Sequence, residues 1–456
     1  MVTKDYGDES SPYRAALAAI WERSGYDRGF ISDPFAGDDA ARLGLARTAA
    51  MLDVLGNPHE RVRLIHVAGS KGKGSTAVLT DAVLRAAGVR SGRFTSPHLH
   101  SWRERFIVDD GPISEDAFAR LTEAAIEAMH TVEAINPSLG QVTAWELSTV
   151  MALRWFAERD CEAAVIEVGL GGTLDATNVI DPVVSAITRL DLEHTAILGE
   201  TLPEIASNKA GIIKLGRPSV TVDQPPDALA VIEARAREVG SELLIGGRDW
   251  LIEGDEEGFA VIGPWGRVDD LRTSLVGRHQ VENAGLAVAA IRAGFGDDAA
   301  IDDAAIRAGL REAQLPGRFE RVPTSGGPAI ILDGAHTPVA AGALAAALAK
   351  HLPAGRVTFV VGMMRDKRPE PFLRPLSERA ARWIVAEPDS PRRMPADLLR
   401  QALTTLGQRV EQAPSIAEAI DHARQEGDVV VVTGSLTTVA EARVHLGLGT
   451  PDPPPR

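Results

Sequence analysis

Residues 66–76 read HVAGSKGKGST. So much glycine and lysine between an apolar run and a helical pattern suits the binding of phosphate. Glycines let backbone N–H groups turn toward an anion, and the helix that follows presents its N-terminus. Lys73 adds a point charge for the β- and γ-phosphates. Gly74 separates Lys73 from Ser75, whereas the common phosphate-loop pattern sets lysine directly before serine or threonine. A glycine-rich surface turn is the plainer reading. It accounts for neither the strand-like VRLIHVA before the loop nor the helix that Ser75 opens.

Other stretches carry groups with chemistry. VIEVGLGG places Glu167 inside an apolar strand, where a carboxylate is costly unless it is paired or holds a cation. AITRLDLEH ends in Asp191, Glu193 and His194. Mg²⁺ favours oxygen ligands and phosphate, so a carboxylate with a hydroxyl suits it better than an imidazole. FTSPHL offers Ser96, Pro97 and His98 on a loop. TAWELST sets Trp145 and Glu146 at a helix start, where a core tryptophan and a dipole-favoured glutamate are the simpler reading. Ligands gather at the carboxyl ends of strands in open parallel sheets, and that gives His194 weight beside Glu167 and the loop.

The elements that must position these groups alternate. VRLIHVA, EAAVIEVG and VVSAITRLD read as buried strands; STAVLTDAVLRAAG, AFARLTEAAIEAMHTV and TAWELSTVMALRWFAE read as helices. This is an α/β chain with a parallel sheet covered on both faces. Residues 242–276 hold short glycine-punctuated strands, which predict hairpins. Helices follow in QVENAGLAVAAIRAG and near 302–313, and LPGRFERVPTSGG reads as a linker. The strand–helix rhythm then restarts with AIILDGAH and a helix over 338–350, and runs to DVVVVTG and a helix over 436–445. The expected domains are 1–314 and a smaller 315–456, with 449–456 as a disordered tail.

With 456 residues the chain exceeds one ordinary core, and its 45% apolar and 24% charged content is that of a soluble globular protein. A net charge of −15 argues against a nucleic-acid partner. Cys161, the single cysteine, has no partner for an intrachain disulfide. No apolar run is long enough to span a membrane, and MVTKDYGDESSPYR lacks the apolar region of a signal peptide. A cytoplasmic protein without a membrane partner is expected.

Several motifs occur in order: HVAGSKGKGST, GRFTSPHL, EVGLGGTLDATN, LGETLPEIASNKAGIIK, GRHQVENA, PGRFE and DGAHTP, with GMMRDKR and VTGSLTTVAEAR nearer the end. As a set, over residues 60–445, they resemble bacterial folylpolyglutamate synthase/dihydrofolate synthase of the Mur ligase superfamily. The resemblance implies a P-loop mononucleotide-binding domain of the Mur ligase central-domain type and a smaller C-terminal Rossmann-like domain. It implies an ATP-dependent ligase forming a carbon–nitrogen bond. The carboxylate of dihydropteroate and/or a tetrahydrofolate polyglutamate takes the γ-phosphoryl group. The amino group of L-glutamate attacks the acyl phosphate, releasing ADP and phosphate.

Carried over by resemblance, Lys71, Gly72, Lys73, Gly74 and Ser75 form the ATP loop, and Asn283, Arg318 and Asp333 are further nucleotide contacts. Ser96, Glu167 and His194 fall on Mg²⁺ ligands. Thr143, Ala144, Trp145, Glu146, Leu174, Asp175 and Ala176 fall on the pteroate pocket, with Arg42 and Leu43 as weaker matches, and Trp145 would cover the pterin ring. Lys73, His194 and Lys209 are the implied catalytic residues. Lys209 falls on a lysine carried as a carbamate, which requires a desolvated, neutral amine. The chain departs from the usual family motifs at Ser70, Lys71, Thr173, Glu193, Asn208 and Thr337. Another amino-acid ligase of the superfamily and a catalytically silent ATP-binding paralogue are the alternatives. A monomer is expected.

Overall fold

The computed structural model describes residues 11–24, 38–109, 111–296, 298–323, 326–352, 357–425 and 429–453, with backbone alone for 38–42. The opening residues 1–10 and the side chain of Arg42 lie outside the described residues.

The larger sheet has eight strands: β1 (Arg63–Ala68), β2 (Ser91–Phe94), β3 (Phe106–Val108), β4 (Gly111–Pro112), β5 (Ala163–Glu167), β6 (Val184–Ile187), β7 (Ser219–Thr221) and β8 (Leu243–Ile245). Their order is β4-β3-β2-β5-β1-β6-β7-β8. The strands from β2 to β8 in that order run parallel, while β3 and β4 form an antiparallel edge. The central strands are apolar on both faces. Ile65, Val67 and Val165 pack with the helix Arg278–Phe295. Leu64 and Ile166 pack on the other side with the helix Ala144–Glu158. Alternation by residue over two buried faces is what a sheet covered on both sides requires.

The order of strands brings the chemistry together. β1 lies between β5 and β6, and β2 lies beyond β5. Val67 pairs with Glu167, Ala68 with Ile187, and Phe94 with Ile166. The Ser96 loop, Glu167, the phosphate loop and the Glu193–His194 loop thus leave one edge, the carboxyl end of neighbouring strands.

The segment 242–276 departs from the expected hairpins. Residues 243–245 form β8, which pairs parallel to β7. Only β9 (Leu251–Asp255), β10 (Gly258–Gly263) and β11 (Gly266–Leu271) form an antiparallel sheet. Glycine punctuation marks where a strand ends, but its pairing partner is chosen by the tertiary fold. Trp250, Phe259 and Val261 bury this small sheet in the same core as the helix Arg278–Phe295.

The second sheet comprises β12 (Glu320–Val322), β13 (Ala329–Leu332), β14 (Val357–Val361), β15 (Ala380–Val385), β16 (Val410–Gln412) and β17 (Val429–Thr433). Its order is β12-β13-β17-β14-β15-β16, with β12 alone antiparallel. Asp333 follows β13 at its carboxyl end. The tail expected to be disordered over 449–456 is anchored across its described part. Asp452 N donates to His100 O at 3.0 Å, and its carboxylate accepts from Trp102 N at 2.7 Å and Tyr13 Oη at 2.6 Å. Proline-rich composition did not reveal these partners, because they lie in the far N-terminal half. Residues 454–456 are outside the described set.

Candidate active site

The phosphate loop leaves β1 and enters the helix Lys73–Ala86 at Gly72, whose φ of 95° favours glycine. A second constraint is close approach: a Cβ on Gly72 would lie 2.2 Å from Asn283 Oδ1. Asn283 is oriented by donating Nδ2 to Gln280 Oε1 at 2.9 Å. Ser70 N and Lys71 N both donate to Arg189 O, at 3.1 and 3.0 Å. The loop is thereby tied to the chain leaving β6. Lys73 Nζ donates to Gly69 O at 3.0 Å, and Ser75 is buried in the first helical turn.

Glu167 ends β5 beside this loop. It is 4% exposed, and its Oε2 accepts from Ser96 N at 3.0 Å. A Cβ on Gly74 would lie 3.6 Å from the same oxygen. Burial pushes the Glu167 carboxyl up, against Lys73, the Ser96 N–H, Arg318 and Arg93. A carboxylate in that position favours a bound cation. Among the described residues no group of three or more His, Cys, Asp or Glu stands together as a metal cage. The buried Glu167 carboxylate, with the Ser96 loop against it, is an oxygen donor of the kind that suits Mg²⁺ when phosphate and water supply the other ligands.

Lys209 lies in the last turn of the helix Leu202–Ala210, 2% exposed. Its Nζ donates to Gly69 O at 2.9 Å and stands 3.4 Å from Glu193 Oε1. Burial, then Lys73, lower its pKa to about 7, against the pull of Glu193. Glu193 also accepts from Lys71 Nζ at 3.0 Å. Burial raises the Glu193 carboxyl, but Lys73, Lys209 and Lys71 outweigh it and hold it below the usual range. His194 is exposed, with a left-handed φ of 48°, at the start of the short helix Thr195–Leu198. The protein around its ring lowers its pKa, as do Lys73, Lys209 and Lys367, against Glu193.

The second sheet faces this edge. Asp333 accepts from Phe319 N and Ala335 N, at 2.8 and 2.9 Å. Arg318 lies across the turn after it: a Cβ on Gly334 would come 2.5 Å from Arg318 Nη1. The fields of Arg318 and Lys367 reach His336, and that of Arg318 reaches Glu167. Lys71, Lys73, Arg318 and Lys367 thus bring positive charge to this edge, interleaved with Glu167, Glu193 and Asp333, in a chain of net charge −15.

Of the residues expected at the pteroate pocket, Trp145 and Asp175 pack beside the turn that follows Glu167. Trp145 Nε1 donates to both Asp175 oxygens, at 3.2 and 3.1 Å, and its ring stacks on Phe94 with centroids 5.1 Å apart. Asp175 also accepts from Leu170 N, Thr177 N and Thr177 Oγ1. Ala144 and Ala176 are buried, Leu43 and Leu174 half-buried, and Thr143 caps the helix Ala144–Glu158. Glu146 is committed elsewhere. Its carboxylate accepts from Arg47 Nε and Nη2, at 2.8 and 2.7 Å, and from Thr143 N. It supports the pocket wall rather than presenting a free carboxylate. Sequence reasoning missed Arg47, Gln280 and Lys367 as partners of the site. Lys367 and Gln280 each had a signal, in the motifs GMMRDKR and GRHQVENA, whereas Arg47 had none.

Comparison with known proteins is decisive on family. Residues 317–436 match the family model "Mur ligase, glutamate ligase domain". The dihydrofolate synthase/folylpolyglutamate synthase of Bacillus subtilis is 33% identical over 421 residues, covering 88% of this chain and 95% of that protein. The chain belongs to the dihydrofolate synthase/folylpolyglutamate synthase family. A probable bifunctional folylpolyglutamate synthase/dihydropteroate synthase of Halobacterium salinarum is 38% identical over 88% of the chain. The chain spans about half the length of that relative, 49%. The crystal structure of Mycobacterium tuberculosis folylpolyglutamate synthase complexed with ADP and AMPPCP superposes with a TM-score of 0.84 at 29% identity, covering 95% of this chain and all of that one. The fold is that of the Mur ligases, as the motif order implied.

In this family member the unusual residues occur as contacting sets. Lys71 pairs with Glu193. Thr173 donates through both N and Oγ1 to Asn208 O, at 2.8 and 2.9 Å. Thr337 caps the helix Pro338–His351 by accepting from Ala340 N. The Asn208 side chain itself donates to Leu198 O and Glu204 O, at 3.1 and 3.3 Å, and Ser70 Oγ donates to Asp191 O at 3.0 Å, so these residues have partners of their own. No helix among the described residues is long and apolar enough to cross a membrane.

Proposed function

We propose that this chain is an ATP-dependent ligase that joins L-glutamate to a folate carboxylate, on dihydropteroate and/or a tetrahydrofolate polyglutamate. The observation that carries the reading is the meeting of the phosphate loop, Glu167 and the Ser96 loop at the strand ends, where Lys73 Nζ donates to Gly69 O and Glu167 accepts from Ser96 N. Lys73, and Arg318 from the turn before β12, both act on the charge of Glu167. Phosphoryl transfer asks mainly for positioning and charge neutralisation, which such an arrangement supplies. Glu167, Ser96 and His194 would hold Mg²⁺, which supplies Lewis-acid neutralisation of phosphate oxygens when bound. The loop N–H groups from Gly72 onward and Lys73 bind the phosphates, Asn283 covers the loop, and Arg318 and Asp333 reach the nucleotide from the second half of the chain. Trp145, fixed by Asp175, offers a flat wall for the pterin, with Thr143, Ala144, Leu174, Ala176 and Leu43 around it. The acyl phosphate of the folate is then attacked by glutamate, and ADP and phosphate leave.

Lys209 is proposed to work as a carbamate. Its neutral amine forms an N–C bond to CO₂ and releases a proton, turning a buried cation into an anion beside the phosphate loop. A pKa of about 7 makes the neutral form available near neutral pH.

Glutamate-dependent ADP release, run separately with dihydropteroate and tetrahydrofolate, tests the reading. Release with either folate, and a product heavier by one glutamyl residue, supports it. Release only with a nucleotide-linked muramoyl acceptor would assign the other branch of the superfamily. No release with any acceptor would leave a silent ATP-binding protein.

A further inference from the structure

Arg443 lies in the last turn of the helix Leu436–His445 in the second half, and only 11% of its side chain is exposed. Its guanidinium spans different parts of the chain. Nε donates to His100 Nε2 at 3.1 Å, Nη1 to Glu320 Oε1, and Nη2 to Leu448 O at 2.7 Å. Glu320 uses its other oxygen to accept from Gly317 N at 2.8 Å, which shapes the turn that presents Arg318. His100 belongs to the first half, on the loop that carries Ser96. Its own N–H is held by Glu104 Oε1 at 2.9 Å.

The segment after Arg443 closes on the same loop. A Cβ on Gly449 would lie 2.3 Å from the His100 ring. Asp452 accepts from Trp102 N and Tyr13 Oη, and its N–H donates to His100 O. Trp102 is buried and carries the Arg105 guanidinium over its ring at 4.1 Å. Arg105 Nε donates to His98 Nδ1 at 3.0 Å. The path from Arg443 and Asp452 therefore runs through His100, Trp102, Arg105 and His98 to the Ser96 loop.

We propose that Arg443, with Glu320 and Asp452, is a latch that positions the Ser96 loop against the Arg318 turn for the ligase reaction. The proposal rests on the ligase reading above. A guanidinium fork is rigid and bonds in fixed directions. If either loop moved alone, Arg443 would lose a partner while staying largely buried, and an unpaired buried charge is costly. The two loops therefore move as one body. Ser96 lies beside Glu167 on the metal side, and Arg318 reaches in from the second sheet. Their relative placement decides how the phosphoryl group meets its acceptor, and a misplacement of about 1 Å costs roughly 100-fold in rate. Arg443 touches neither substrate, so it is a positioning residue.

The test uses the full chain, measuring glutamate-dependent ADP release, ATP affinity by equilibrium dialysis, and thermal melting. Arg443→Ala is expected to lower kcat about 30- to 100-fold while the ATP Kd changes less than about threefold. Arg443→Lys should recover little, because an ammonium does not span the separate acceptors. Arg443→Ala combined with Glu320→Gln should lose less than the product of the two single losses, as expected for members of one network. A kcat within about threefold of wild type for Arg443→Ala, with only melting lowered, would overturn the latch and leave a structural peg. Where Arg443→Ala fails to fold, Glu320→Gln and Asp452→Ala decide. Lowered kcat with unchanged ATP affinity supports the latch, and unchanged kcat overturns it. An inactive wild type would overturn the ligase reading and this proposal together, whereas an active wild type with unaffected variants overturns the latch alone.

Discussion

Lys73 and Lys71 look equivalent in the sequence and differ in their surroundings. Lys73 Nζ sits over the loop at Gly69 O, whereas Lys71 is held by Glu193. Lys73→Ala should lower turnover by about 100-fold or more, the usual effect of removing a group aimed at transition-state charge. Lys71→Ala should lower it far less; equal losses in steady-state assays would reject this division of roles. Glu167→Gln keeps the shape of the strand end and removes its charge. Activity should fall strongly and recover in part at raised Mg²⁺, and full activity with Gln would place the cation elsewhere. Lys209 has a pH signature. Its pKa falls from 10.5 to about 7 on folding, so between those values the unfolded chain binds the extra proton. Its contribution to stability therefore rises with pH across that window, and the burial penalty is complete below about 7. In CO₂-free buffer, where Lys209 stays an amine, Lys209→Met should raise the melting temperature more at pH 6 than at pH 9, and a pH-independent difference there would refute the lowered pKa. At this scale Glu167 was legible in the sequence, because a carboxylate inside an apolar strand stands out. The partners of Glu193 were not, since Lys71 is 122 residues away in the chain.

The helix Ala144–Glu158 shows how an element is set locally and then fixed by distant contacts. Thr143 and Glu146 form a reciprocal cap, which the spacing TAWE announces. Glu146 is then clamped by Arg47, with side chains 7% and 6% exposed. Breaking a pair that is this buried leaves an uncompensated charge, so Arg47→Ala should cost about 3–5 kcal/mol in denaturant unfolding. Removing both charges, in Arg47→Met with Glu146→Leu, should cost less than either single loss. A small effect of Arg47→Ala would show the pair to be solvated. The element that misled sequence reading was Leu243–Ile245. Its glycine-flanked, β-rich pattern is the same for a hairpin strand and for a parallel edge strand. Pairing with Ser219–Thr221 decided between them.

At the scale of the molecule, the proposed site is a cleft between two sheets. The phosphate loop, Glu167 and Lys209 come from one, Arg318 and Asp333 from the other. An acyl phosphate needs shelter from water until glutamate attacks, and closure of such a cleft provides it. ATP with a folate should make the particle more compact in X-ray scattering and protect the LPGRFE segment from protease. Arg318→Ala should weaken compaction and amide formation together. Unchanged scattering and protection with all ligands bound would remove Arg318 and Asp333 from the site.

The strand–helix rhythm, the phosphate loop and the order of motifs that marks the family can all be read along the chain. These are legible because they rest on local periodicity, on glycines at tight turns and on short spacings along the chain. Tertiary structure decided which strand ends meet. β1 lies between β5 and β6, and no local pattern states that order. Tertiary structure also decided that Glu193 faces Lys71 and Lys209, that Glu146 serves Arg47, and that Asp452 is bound to Trp102 and Tyr13. The reason is physical. A buried charge selects its partner by position in the assembled fold, and all of these partners but Lys209 lie 99 or more residues away in the chain.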